Sequence, residues 1–201
     1  MWRWVGERGM LLATGGATLA RYNALASGGF AEIEDMIPAD GSLLLVLRRG
    51  AEVSTGLTAA LAVPLDHVRT DVRECHEIIV EYGGTAGPDL QRLAAEAGMD
   101  QATYIDSHAA VEYRVAFLGF QPGFPYLRGL PPALHAPRRA TPRVRVESGS
   151  VAVGGSYTGI YPASGPGGWQ IIGRTTAVLF DPQREMPAML MPGDRVRFVP
   201  R

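Results

Sequence analysis

The sequence predicts an α+β protein in two parts: a domain of alternating strands and helices over residues 1–83, and a mostly β domain over residues 84–201 that opens with helices between 88 and 110. Three observations carry this reading. At 201 residues the chain is long enough to bury two small cores. Apolar spacing in the first third switches repeatedly between a period of two and the helical period. After Gly83-Gly84 the texture changes to short apolar runs cut by glycine, proline and serine, the pattern of a closed barrel or a sandwich.

Taken in order, Met10 to Ala13 is a short apolar strand. Gly16 to Ala26 has helical spacing at Leu19, Tyr22 and Leu25 and stops at Ser27-Gly28-Gly29, where glycine accommodates a left-handed cap. Phe30 to Ile37 reads as a strand closed by Pro38, and Ser42 to Leu47 as its neighbour, joined through Ala39-Asp40-Gly41. Ser54 caps a helix through Leu57, Leu61 and Ala62 that stops near Pro64. Glu77 to Tyr82 supplies a fourth strand, and the resulting order βαββαβ is the ferredoxin-like one, with two helices on one face of an antiparallel sheet. In the second part Pro88-Asp89 opens a helix through Leu90, Leu93 and Ala97, and another runs from Gln101 to Ala109. Short β pieces follow at Tyr113 to Leu118, Arg143 to Val146, Val151 to Val153, Gly159 to Tyr161, Gln170 to Ile172, Val178 to Phe180 and Arg195 to Val199.

Composition removes several function classes. A net charge of −1 points neither to nucleic acid nor to an anionic membrane surface. The first residues lack the apolar core of a signal peptide and no run approaches membrane-spanning length, so a cytoplasmic protein is expected. The one cysteine, Cys75, excludes an internal disulfide, and its flanks read as a strand entry with a packed thiol. All 19 basic side chains are arginine, which rules out a lysine Schiff base, a P-loop lysine and a lysine general base. His67, His76 and His135 have no partners at metal-ligand spacing, and no metal site is expected.

Phe117 to Pro131, FLGFQPGFPYLRGLP, stacks rings, prolines and glycines too densely for a helix or an ordinary strand, and reads as a rigid shaped wall. A second such stretch runs from Gly159 to Thr175. Within it Gly167-Gly168 can present adjacent N–H groups to an anion, Trp169 can wall a pocket and Gln170 can read an amide or carboxylate edge; a hairpin with a packed tryptophan explains the same residues equally well. From Tyr113 to Val146 six arginines occur without an acidic residue, a solvated face for most of them but also a fit to an anion site or an acidic partner. His108, at the end of a helical stretch, could relay a proton, though a helix C-terminus favours such a residue anyway.

These residues also carry a resemblance. FLGFQPGFPYLRGLP, APRRATPR, GSVAVGG, TGIYP, PGGWQIIGRT and the closing PGDRVRFVP resemble the KipI/PxpB family, the small subunit of bacterial 5-oxoprolinase, also labelled allophanate hydrolase subunit 1; the likeness runs from Glu81 to the C-terminus. The resemblance implies an N-terminal α/β domain and a C-terminal cyclophilin-like β-barrel. It implies partners, a larger KipA/PxpC-type subunit and a PxpA-type protein, with ATP and Mg2+ used by the complex to open 5-oxo-L-proline to L-glutamate. Catalytic roles would fall on His108, Gln170 and Arg138. Substrate contacts would fall on Phe120, Gln121, Gly123, Phe124 and Tyr126, on Arg139 and Arg143, and on Thr158, Gly159, Tyr161, Gly167, Gly168 and Trp169. The family's serine after the histidine is Ala109 here. Two other roles fit the same family: inhibition of a sensor histidine kinase, and a part in an allophanate hydrolase or urea carboxylase-like enzyme.

Overall fold

The computed structural model describes residues 2–64 and 74–201, so His67 lies outside the described residues. The chain separates into two compact units, Met1–Val72 and Arg73–Arg201.

The first unit runs β1 (Trp2–Val5), β2 (Gly9–Gly15), α1 (Thr18–Gly28), β3 (Ile33–Ala39), β4 (Gly41–Leu47) and α2 (Thr55–Ala62). Its antiparallel sheet has the order β1-β2-β4-β3. The two-residue Asp40-Gly41 loop closes the β3–β4 hairpin, Gly41 taking a φ of 75° that costs glycine nothing. Pro38 is tolerated because β3 is an edge strand. Alternate residues of β4, Leu43, Leu45 and Leu47, join Met10, Leu12, Leu25 and Leu57 in the core. Ser54 Oγ accepts the Leu57 N–H at 3.0 Å and caps α2, while Arg21 of α1 donates to the carbonyls of Ala60 and Val63 at its far end. The expected βαββαβ order is corrected to ββαββα: the split βαβ unit is present, but β1, which the sequence reading missed, fills the edge beside β2.

The strand expected in that place is instead a stave of the barrel. In the second unit β5 (Cys75–Tyr82), β6 (Glu112–Leu118), β7 (Pro125–Arg128), β9 (Ser150–Gly154), β10 (Tyr157–Ile160), β12 (Gln170–Arg174) and β13 (Arg195–Pro200) close in the order β10-β7-β6-β13-β5-β12-β9. Because β5 pairs along its length with β13 and at its end with β12, the division falls before it, not at Gly83. Helices α3 (Leu90–Glu96) and α4 (Gln101–Ala109) add Leu90, Leu93 and Tyr104 to the barrel core. A two-stranded ribbon of β8 (Arg143–Val146) and β11 (Gly165–Gly167) stands apart from the barrel hydrogen bonding. Val178 to Phe180, expected as a strand, makes one isolated bridge from Phe180 to Ala188. No described helix is long and apolar enough to cross a membrane.

Candidate ligand pocket on the barrel wall

The loop between β6 and β7 consists of two successive tight turns. Gln121 N–H donates to the Gly119 carbonyl at 2.7 Å, a γ-turn centred on Phe120, and Phe124 N–H donates to the Gln121 carbonyl at 3.0 Å, a β-turn across Gln121-Pro122-Gly123-Phe124. The second turn follows from its sequence: proline presets φ and Gly123 accepts a φ of 77°. The first does not. Phe120 has a φ of 66°, the one positive φ among the described non-glycine residues, and the residue is 60% exposed.

Behind this loop the rings pack edge to face. Phe124 is buried, with ring centroids 5.2 Å from Tyr161, 5.3 Å from Trp169, 5.2 Å from Tyr126 and 5.5 Å from Phe120. This layer lies on the outer side of the barrel wall, because residues alternate along each strand: Val151, Val153, Leu127 and Ile172 fill the interior, while Ala152, Tyr126 and Ile171 face the aromatic layer. Two glycines admit the rings. A Cβ on Gly154 would sit 2.5 Å from the Trp169 indole, and one on Gly167 would strike the Tyr161 hydroxyl.

In front lies a pocket of about 160 Å³, walled by the rings of Phe120, Tyr126, Tyr161 and Trp169, closed by Pro142 and Gly168, and edged by Arg138 and Arg139. Among the described residues no acidic side chain lines it. The Arg138 guanidinium lies 5.7 Å from the Trp169 ring centroid, a cation–π contact. Arg139 is fixed at two points: its N–H donates to the Gly168 carbonyl at 2.7 Å, and Nη1 lies 3.4 Å from Asp89 Oδ1. The same oxygen accepts from Arg143 Nη2 at 2.9 Å, and Asp89 Oδ2 accepts the Ile171 N–H at 2.6 Å. One buried carboxylate thus organises two guanidinium groups and a strand. With Arg138 the three cations exceed that carboxylate by two charges, and Arg139 Nε and Arg143 Nη1 are buried without a hydrogen bond among the described residues. The pocket therefore suits a small, partly apolar anion.

Seven of the residues expected from the sequence meet here: Phe120, Tyr126, Arg138, Arg139, Tyr161, Gly168 and Trp169. Others support them from behind. Phe124 underlies the rings, Gly159 leaves room for Phe124 against Pro125, Gly123 shapes the turn, Gly167 makes space for Tyr161, and Arg143 shares Asp89. Gln121 does not line the pocket; its Oε1 is buried without a hydrogen bond among the described residues.

Gln170 is placed differently from expectation. Its Oε1 accepts from Arg92 Nη2 at 2.7 Å and its Nε2 donates to the Pro137 carbonyl at 2.9 Å, so the amide ties α3 to the segment that delivers Arg138. His108 is also not at the pocket. It is fully buried inside the barrel, stacked on Phe198 at 4.8 Å. Thr158 Oγ1 spends its proton on the Ala152 carbonyl at 3.0 Å, so it accepts from His108 Nε2 at 3.0 Å, and Tyr82 Oη donates to Nδ1 at 2.7 Å. Burial pushes the imidazole down to about 3 and raises the phenols of Tyr82 and Tyr113. The expected proton relay at His108 is corrected to a neutral core histidine, and Thr158 is its partner.

Asp89, Arg92 and Pro142 were missed. Asp89 reads locally as a helix opener, and nothing near it in sequence announces arginines 50 and 54 positions away. Cys75, expected to be packed, is exposed, because β5 turns Ile78 and Val80 inward and its odd-numbered residues outward. His76 Nε2 lies 3.4 Å from Asp194 Oδ2, and His135 Nε2 lies 3.0 Å from the Leu130 carbonyl.

Residues 2–190 match the family described as carboxyltransferase domain, subdomain C and D. Over 217 residues, 97% of the chain and 90% of the relative, the chain is 37% identical to a 5-oxoprolinase subunit of Bacillus subtilis. It is 58% identical over 125 residues to the corresponding 5-oxoprolinase subunit of Escherichia coli O157:H7, a match spanning 62% of the chain and 57% of that protein. Among solved structures it superposes on TTHA0988 with a TM-score of 0.84 at 36% identity, covering all of this chain and 41% of that one. PH0987 of Pyrococcus horikoshii gives 0.62 at 32% identity, with 100% of this chain and 97% of that one covered.

Proposed function

This chain belongs to the KipI/PxpB family of 5-oxoprolinase subunits, within the carboxyltransferase C and D domains, and we propose that it is one component of a cytoplasmic, ATP-dependent 5-oxoprolinase. In this reading it acts with a KipA/PxpC-type subunit and a PxpA-type protein to convert 5-oxo-L-proline to L-glutamate, and is inactive alone. The observation that carries the proposal is the pocket itself: four rings, two arginines and, among the described residues, no acidic lining side chain in about 160 Å³. 5-Oxoproline is a five-membered lactam with one carboxylate. Its methylene faces suit the walls of Phe120, Tyr126, Tyr161 and Trp169, and its carboxylate suits Arg138 and Arg139.

ATP does not fit the same place. The volume lies below the roughly 300 Å³ at which sites for drug-sized ligands begin, and among the described residues no carboxylate lines the pocket to share Mg2+. Nucleotide is therefore placed outside this pocket, whose part is to hold and orient the lactam. The composite arrangement agrees with the absence of lysine and of a nucleophile at the pocket.

The test is reconstitution. The three proteins together should release glutamate from 5-oxo-L-proline with ATP hydrolysis, and replacing Arg138 and Arg139 by alanine should raise KM by about tenfold or more, the effect of losing a charge-assisted contact. No glutamate from the complete wild-type mixture would refute the assignment. A second reading comes from urea amidolyase of Saccharomyces cerevisiae, 39% identical over 62 residues, 29% of this chain. Turnover of urea in place of 5-oxoproline by the same mixture would favour it.

A further inference from the structure

We infer that Phe120 is the specificity-determining lip of the pocket, an aromatic ring held in a strained turn so that it closes over one face of a five-membered cyclic carboxylate and excludes larger rings. The inference rests on the pocket being the substrate site, as proposed above. Three observations lead to it. Phe120 occupies the centre of a γ-turn at φ 66°, a backbone region that side chains with a Cβ avoid. The strain gains little burial in return, since the residue stays 60% exposed and its ring touches its neighbours only edge-on, 5.5 Å from Phe124 and 6.0 Å from Tyr161. The ring nevertheless lines the pocket, together with Tyr126, Tyr161 and Trp169.

Glycine at this position would relieve the backbone, so packing within the chain does not explain phenylalanine. What glycine lacks is the ring. The turn centred on Phe120 and the turn that follows it are locked by the N–H bonds of Gln121 and Phe124 and by Gly123, where a Cβ would meet Phe180. The lip is therefore preorganised and not a mobile flap. A ring held by these turns, edge-on to Tyr161 and lining the same pocket as Trp169, limits the size of the ring that enters, while the arginines at the edge select the carboxylate.

The experiment uses the full chain and the reconstituted complex, with L-5-oxoproline and its six-membered homologue 6-oxopiperidine-2-carboxylate as probes. Calorimetry on wild type, Phe120→Ala and Phe120→Gly should show both variants losing about tenfold in affinity for L-5-oxoproline, the scale of one aromatic contact. Their preference over the six-membered acid should narrow. In the complex the loss should appear as a raised KM with kcat retained. Phe120→Gly should melt ~2–4 °C above Phe120→Ala, since both lack the ring and only alanine keeps the strain. Wild-type binding with unchanged affinity and preference in both variants would overturn the lip while leaving the pocket assignment standing. Failure of the wild-type chain and of the complex to bind either acid would overturn both.

Discussion

Lowering the pH from 7 to 5 removes stability from this fold through His108. The side chain is fully buried in the barrel, its two nitrogens are used by Tyr82 and Thr158, and burial lowers its pKa from 6.5 to about 3. The unfolded chain takes up a proton near pH 6.5, whereas the folded chain does not until near pH 3, so between these values the unfolded state binds more protons and stability falls as pH falls. The slope is about 1.4 kcal/mol per pH unit, which gives about 2 kcal/mol between pH 7 and pH 5 and no further loss below the folded value. Urea unfolding of the full chain at pH 7, 6 and 5, followed in the barrel unit, measures it. Carboxylates contribute in the same direction, so the comparison is with His108→Gln, which is less stable at pH 7 but lacks the titration. If wild type and His108→Gln lose the same stability over this range, the buried neutral imidazole is not the cause and the reasoning fails.

Two further outcomes follow from the geometry behind the pocket. Asp89→Ala should cost about 3 kcal/mol, because it strands the Ile171 N–H and leaves Arg139 and Arg143 without their shared carboxylate, whereas Asp89→Asn, which still offers an acceptor to Ile171, should cost about half that in thermal or urea unfolding. An alanine variant within about 0.5 kcal/mol of wild type, the scatter of surface substitutions, would show that Asp89 does not organise this corner. Gly154→Ala should displace the Trp169 indole, which a Cβ would meet at 2.5 Å. The measurement is near-ultraviolet circular dichroism together with L-5-oxoproline affinity, and both should fall while the far-ultraviolet spectrum is retained.

Local signals were legible where one residue suffices to state the physics. The caps at Ser54 and Gly29 and the α4 boundaries appear in the structure as the sequence indicates, because each depends on a few adjacent dihedral preferences; the hairpin at Asp40-Gly41 does too, although β3 runs on through Pro38 and Ala39 where the sequence closes it at Pro38. The pocket walls were legible for the same reason: a run of rings, glycine and proline admits few conformations. Pairing was not. Glu77 to Tyr82 reads as a strand wherever it lies, and only the partner strands β12 and β13 assign it to the barrel. Trp2 to Val5 went unread because a four-residue exposed edge strand has no apolar alternation against a core.

Composition and short-range backbone preference were enough to set the α+β class, the two-part organisation, the rigid aromatic wall and the restriction of positive charge to arginine. They could not settle which polar residues face a ligand; long-range packing did. Gln170 and His108 carry the right chemistry for a site, yet one braces the Arg138 segment and the other fills the barrel, while Asp89, unremarkable in sequence, holds Arg139 and Arg143. A side chain's role depends on which hydrogen-bond partners the folded chain sets beside it, and those partners come from segments tens of residues away that only the closed barrel brings together.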